Sequence, residues 1–394
     1  MTKRLSDTMG LAAIGLALGL ASAPAFADDE IIIGAAIALS GPIAPYDEGP
    51  LHGLEIKIGE INASGGLLGK QLKLITSDTK SDIAYGATAA QDVIDKGAQM
   101  VVVTCDYDYG GAAASVADAA GLITFSTCAG DPKFGPVGIG PNAFTMATGA
   151  PGQAAAMAEW AFNEKGWKTA YILQDTTIAF DASWADTFTK RWAELAGADA
   201  MLGTDTFGGE DPQIASQITR INALAAQPDL IVLASFPPGG SSALRQLRAA
   251  GVNQPVLGSE SWDGDFWLEA VPNLSDFYFV TYGSIFGNDP RPEVAEFMTK
   301  YKDKFGAVPP TSHAVTGYSV MQGWAMAVEQ AGTIDAAAVR PALEGFVDVP
   351  LLAGPTSFTA DAHINMKRDL LLLQVTDGKT GNVVGVVRAA EVPQ

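Results

Sequence analysis

From Ile31 to beyond Pro151, short apolar runs alternate with apolar positions at helical spacing. Ile31 to Leu39 is a continuous apolar run closed by Ser40-Gly41-Pro42, the pattern of a strand buried on both faces. Leu51, Leu54, Ile58 and Ile61 recur three or four apart and predict one face of a helix that stops at Gly65-Gly66. A strand through Leu72 and Leu74, a helix over Ala84 to Ile94, a strand at Val101 to Val103, a small-residue helix over Gly111 to Ala120 and a strand at Leu122 to Phe125 follow. After Pro151 the beat resumes. Helices are predicted over Ala154 to Phe162, Trp184 to Leu195, Ile214 to Leu224 and Ala243 to Ala250, and strands at Ala170 to Leu173, Leu230 to Leu233 and Val256-Leu257. A strand at Phe277 to Tyr282, helices over Glu293 to Phe305 and His313 to Ala331, and a hairpin around Asp377-Gly378 complete the pattern. Such alternation predicts an α/β fold with parallel sheets covered by helices, and its two runs predict two similar lobes.

The amino terminus sets the compartment. Lys3 and Arg4 precede an apolar stretch from Leu11 to Leu20, and Ala25-Phe26-Ala27 supplies the small residues a signal peptidase reads. A signal peptide over residues 1–27, cut before Asp28, is therefore expected. The apolar stretch is short of the roughly 20 residues that a membrane span takes. No cysteine near the cut offers a lipid attachment point, so the expected product is a soluble periplasmic protein. The net charge of −20 disfavours nucleic acid or an anionic membrane as partner. The only two cysteines, Cys105 and Cys128, fall at the ends of predicted neighbouring strands; in an oxidising compartment they form either a disulfide or two buried thiols.

An enzyme would need chemistry that the sequence does not advertise. None of His52, His313 and His363 has a metal-ligand or triad partner at a telling spacing, and no Gly-X-Ser-X-Gly or phosphate-binding loop occurs. Gly65-Gly66-Leu67-Leu68-Gly69 follows a helix and precedes a strand, the reverse of a dinucleotide fingerprint. No cofactor and no metal are expected. In open parallel sheets, ligands sit beyond the carboxyl ends of strands. The loops to watch are Ser40 to Asp47, Thr104 to Gly111, Ser126 to Asp131, Gln174 to Asp181, Ser235 to Ser242 and Ser259 to Asp265.

These loops carry a recognisable pattern. Ser40-Gly41-Pro42-Ile43-Ala44, followed by Glu60-Ile61-Asn62-Ala63-Ser64-Gly65-Gly66-Leu67-Leu68-Gly69, resembles the leucine/isoleucine/valine-binding proteins of ABC transporters. Leu244 to Gly251 and Gly258-Ser259-Glu260 agree with later family elements. The resemblance covers nearly all of the chain after the leader. It implies a two-lobe type I periplasmic-binding-protein fold with three interlobe crossings, near Thr148, Gly283 and Gly354-Pro355. Lobe one would be residues 28–147 plus 284–353, and lobe two residues 148–283 plus 354–394. It also implies a small-molecule ligand, an inner-membrane ABC permease with its ATPase as partner, and a monomer; a sensory role for the same fold is the alternative.

Residue by residue, the resemblance assigns Tyr46 to the first-loop aromatic and Asp106 or Tyr107 to the position of a serine that holds the ligand carboxylate. It assigns Ser126 to Gly130, with Cys128 and Ala129 among them, to the loop whose backbone groups hold carboxylate and amine, Phe180 to a second-lobe aromatic, Phe236 or Pro237 to the place of another, and Glu260 to the acid that pairs with the α-ammonium. Trp262 or Trp267 is expected to line the same cleft. The chain departs from the family where an acid replaces that serine, and where Lys80-Ser81 lacks the usual disulfide partner, which would leave Cys105 to pair with Cys128. An amide, a cationic or zwitterionic metabolite and a hydroxylated acid therefore stand beside branched-chain amino acids as ligands.

Overall fold

A computed structural model describes residues 1, 2 and 30–393. The signal peptide and its cleavage point fall outside these residues, apart from Met1 and Thr2. The first sheet is built by β1 (Glu30–Ile37), β2 (Gln71–Asp78), β3 (Met100–Val103), β4 (Thr124–Ser126) and β5 (Ala143–Thr145), all parallel, in the order β2-β1-β3-β4-β5. Its helices are α1 (Ala44–Ala63), α2 (Gly86–Asp95) and α3 (Tyr107–Ala119).

The chain then makes α4 (Ala150–Asn163), β6 (Ala170–Asp175), α5 (Ala179–Ala196), β7 (Met201–Phe207), α6 (Ala215–Asn222), β8 (Leu230–Ala234), α7 (Gly239–Ala249), β9 (Val256–Leu257) and β10 (Phe277–Thr281). It continues through α8 (Pro292–Phe305), α9 (His313–Ala331), α10 (Ala336–Glu344) and a two-stranded ribbon of β11 (Val349–Leu351) and β12 (Gly354–Thr356). The terminal hairpin, β13 (Leu370–Thr376) and β14 (Lys379–Val387), joins antiparallel to the second sheet, whose order is β14-β13-β10-β9-β8-β6-β7.

The continuous apolar character of β1 has a direct cause. Ile31, Ile33, Ala35 and Ile37 pack on the face covered by α1, α8, α9 and α10. Ile32 and Ala36 point the other way, with Val101 and Val103, against α2 and α3. A strand buried on both faces cannot alternate apolar with polar residues. The second sheet repeats the arrangement. Ile172, Val232, Val280 and Leu372 face α4 and α5, while Leu173, Ile231, Leu233, Phe279 and Leu373 face α6 and α7.

Two glycines set the closest helix crossing. A Cβ on Gly53 of α1 would stand 2.2 Å from the Ala314 carbonyl oxygen, and one on Gly317 of α9 would stand 2.2 Å from that of Pro50. Their absence of side chain lets α1 and α9 touch through backbone, which fixes Tyr46 and His313 beside each other, ring centroids 6.0 Å apart.

Every element anticipated from the sequence is present, with ends shifted by a few residues. The elements not anticipated are β5, β7, α10 and the β11–β12 ribbon. Three of those strands have only three residues each. β7 is an edge strand, MLGTDTF, whose half-exposed pattern lacks a clean alternation. Pro341 interrupts the pattern of α10.

Candidate functional site

The loops leaving β1, β3 and β4 meet those leaving β6, β8 and β9 across a cleft. They line a small pocket, partly open to solvent, with about 40 Å³ of water-accessible volume. From the first-sheet side Ile43, Tyr46, Cys105, Asp106, Tyr109 and Cys128 line it, with His313 from the start of α9. From the second-sheet side the lining is Ile178, Phe180, Phe236, Glu260 and Ser261. Hydrogen bonds span the cleft: the Tyr46 hydroxyl donates to the Ser261 carbonyl at 2.7 Å, the Ala179 N–H donates to the Asp108 carboxylate at 2.7 Å, and the Ser312 N–H before α9 donates to the Asp263 carboxylate.

Three features hold the first wall. Asp47, buried in the first turn of α1, accepts from the N–H of Ala38 at 2.7 Å and from that of Cys105 at 2.8 Å, tying the ends of β1 and β3 to the helix. Burial raises its carboxyl to about 7, against the lowering pull of those amides. Cys105 and Cys128 are joined by a disulfide, with Cα atoms 4.9 Å apart. Asp106 caps α3, accepting from the N–H of Asp108 at 2.8 Å and of Tyr109 at 3.4 Å. It does so at φ 85° and ψ 149°, a positive-φ conformation outside the left-handed helical basin that few residues other than glycine adopt. Burial and the neighbouring Asp108 charge raise its carboxyl to about 7.

Glu260 dominates the opposite wall, in a single 3-10 turn after β9. It is only 3% exposed. Its Oε1 receives the Tyr282 hydroxyl at 3.5 Å, a long contact, and its Oε2 has no hydrogen-bond partner. Burial, followed at some distance by the Asp263 charge, raises its carboxyl to about 8 despite hydrogen bonding with Gln153. Asp181, beside Phe180 in α5, is wholly buried, and neither carboxylate oxygen has a partner. Burial pushes it well above the usual carboxylate range, helped by the fields of Asp175, Asp106 and Glu260. Burial lowers His313 to about 3, so its imidazole is neutral.

Of the residues singled out in the sequence, Tyr46, Asp106, Cys128, Phe180, Phe236 and Glu260 come together on this cavity. Tyr107 does not: its ring lies beside Gly111 on the flank of α3, with Lys133 Nζ 5.7 Å from the ring centre, and Tyr109 takes the lining place. Ser126 and Ala129 are buried behind the lining, where the Ser126 hydroxyl accepts from the Ala129 N–H at 3.0 Å. Trp262 is a correction as well. It packs in the core of the second sheet, 4.8 Å from both Trp267 and Phe277, in a slot opened by Gly258, and Trp267 is buried with it. Ile43, Tyr109, Ile178, Ser261 and His313 went unassigned. The first four sit in or next to the strand-end loops already suspect; His313 comes from a helix far along the chain and left no local signal.

Two sheets of mainly parallel strands, covered by helices and meeting at the carboxyl ends of those strands around a pocket, define a two-lobed ligand-binding protein. The chain belongs to the periplasmic binding protein family, whose profile matches residues 30–380. It is 26% identical over 359 residues to the Leu/Ile/Val-binding protein BraC3 of Rhizobium johnstonii, covering 87% of this chain and 91% of that one. It is 24% identical over 367 residues to Leu/Ile/Val-binding protein homolog 3 of Brucella melitensis, covering 93% and 95%. Among solved structures, it superposes on the branched-chain amino acid transporter substrate-binding protein LivJ of Streptococcus pneumoniae, in complex with isoleucine, with a TM-score of 0.79 at 21% identity, over 91% of this chain and 99% of that one. It also superposes on an ABC-transporter solute-binding protein of R. palustris in complex with benzoate, with a TM-score of 0.74 at 21% identity, over 92% and 98%. The fold is the type I periplasmic-binding-protein fold. These structures share it while holding chemically different ligands.

Proposed function

We propose that this protein is the solute-binding component of an ABC importer, exported to the periplasm by a leader cut before Asp28, which closes on a small metabolite and hands it to a membrane permease. The observation that carries this reading is the cavity itself, walled by strand-end loops of two sheets and bridged by the Tyr46–Ser261 contact. Its relatives' names support it. The protein performs no covalent chemistry; its output is the closed state, favoured by whatever ligand binds that state better.

We keep the lobe division expected from the sequence at its first two crossings, near Thr148 and Gly283. We move the third crossing from Gly354 to the stretch between Phe358, which packs in the first core, and Leu370, which packs in the second. Three buried contacts support a hinge here. The Tyr282 hydroxyl accepts from the Thr148 N–H at 2.8 Å, the Asn365 carbonyl accepts from the Gly149 N–H at 2.9 Å, and Arg368 donates to the Met146 carbonyl at 2.7 Å.

Small-angle scattering of the purified protein tests the closure. The radius of gyration should fall when a bound ligand saturates the protein, and no change at saturation would remove closure from the mechanism. Loss of solute uptake in cells lacking the protein is the expected physiological result; unaltered uptake with a lost transcriptional response would point to sensing.

A further inference from the structure

Several of the amide donors that this fold directs at the cleft are already in use. At the start of α3 the Asp106 side chain takes the N–H groups of Asp108 and Tyr109, and its carbonyl takes that of Gly110 at 2.9 Å. At the start of α5 Asp108 takes the N–H of Ala179. At the ends of β1 and β3, Asp47 takes those of Ala38 and Cys105. After β4 the Ser126 hydroxyl takes that of Ala129. Helix starts and strand-end amides are where a ligand carboxylate would be held; here the protein's own oxygens occupy those of Asp108, Tyr109, Gly110, Ala179, Ala38, Cys105 and Ala129. Among the described residues no lysine or arginine lines the cavity, and its one histidine is neutral.

Acidic side chains face the cavity instead. Glu260 lines the cavity, almost wholly buried, with Oε2 unpartnered, and Asp106 lines it from the facing wall. Asp181, unpartnered at both oxygens, stands next to the lining Phe180. A buried carboxyl without a partner is costly, and a positive guest relieves that cost. We infer that the ligand is a small organic cation, an ammonium on an apolar body that carries no carboxylate. This rests on the solute-binding reading and narrows it.

The rest of the lining fits such a guest. Tyr46, Tyr109, Phe180 and Phe236 offer ring faces, which attract cations as well as covering apolar carbon. Among the described residues no three of His, Cys, Asp and Glu converge closely enough to hold a metal ion, so the carboxyls are arranged for a guest with a body.

Four probes that share one branched apolar body test the charge directly: isopentylamine, leucine, isocaproate and isocaproamide, each titrated calorimetrically into the purified protein. In parallel, the protein is equilibrated with a whole-cell metabolite extract, and the molecule it retains is identified by mass spectrometry after denaturation. Isopentylamine should bind more tightly than leucine by about tenfold or more, with isocaproate undetected. Glu260→Gln and Asp106→Asn should each weaken the amine by roughly tenfold to a hundredfold, the range for hydrogen bonds to charged groups. Asparagine still caps α3, so that variant tests charge without removing the cap. A retained amine lacking a carboxylate upholds the proposal whatever the shape of its body. Leucine equal to or better than isopentylamine, or a retained molecule that is zwitterionic, neutral or anionic, overturns the proposal and leaves solute binding standing. Silence from all probes and from the extract overturns both.

Discussion

Asp47 and Asp106 spend their carboxylates on backbone amides at the base of the cleft, and both titrate near neutrality because burial outweighs those bonds. Glu260, raised to about 8, and Asp263, raised to about 6, behave alike. Unfolded, such groups give up their protons near pH 4. Between there and pH 8 the folded state holds more protons than the unfolded one, so the stability these groups contribute is full below about pH 4 and is lost as the pH rises through 6 to 8. His313 acts the other way: its contribution is full above its unfolded value and is lost as the pH falls through about 3. Asp131 and Asp181 are raised as well and His363 is lowered, and six carboxyls against two histidines leave a net fall with rising pH. The ligand-free protein should therefore melt higher at pH 5 than at pH 8.5, read by differential scanning fluorimetry; a flat or rising profile would mean that these carboxyls are ionised in the folded state. The sequence exposed this site unevenly. Asp106 and Glu260 stand in strand-end loops, where position alone marks them. Asp181 is the second residue of its helix to be buried against the cleft, and nothing in its neighbours shows that it lacks a partner. Tyr107 and Tyr109 cannot be told apart without the direction of α3, which depends on how Asp106 caps it.

At the scale of elements, the contact of α1 with α9 holds the first wall. A Cβ on Gly317 would meet the carbonyl oxygen, Cα and carbonyl carbon of Pro50 at 2.2 to 2.7 Å, all of them backbone atoms. Gly317→Ala should thus cost about 1–3 kcal/mol in urea unfolding, as overpacking does. Gly59, exposed in the middle of α1 with nothing within 4 Å of its Cβ position, is the contrast. Gly59→Ala should stabilise by about 0.4–1 kcal/mol through the unfolded chain. If the two variants shift stability alike, the helix crossing is looser than described. Long strands and helices were legible because burial on two faces writes itself into apolar runs. The short β5 and the half-exposed edge strand β7 were not, because their pairing comes from neighbours distant in the chain. The positive φ values of Asp377 and Gly378, 51° and 70°, confirm the turn anticipated for the last hairpin.

For the whole molecule, the disulfide links the fold to its address. It closes a loop with a sequence separation of 23 and joins the two cysteines that help line the cavity. Replacing both cysteines by serine should cost about 3 kcal/mol on the chain-entropy scale for loops of this size, measured by urea unfolding, and should loosen the wall that carries Asp106. A loss below about 0.5 kcal/mol would show that packing alone holds the two loops. Such bonds persist in oxidising compartments and are rare where thiols are kept reduced. A copy of this chain retained on the reducing side of the inner membrane would lack one of the ties that shape its pocket, and would be a poor sink for metabolite already imported. On the proposed reading, the bond favours capture on the oxidising side of the membrane, from which uptake would run.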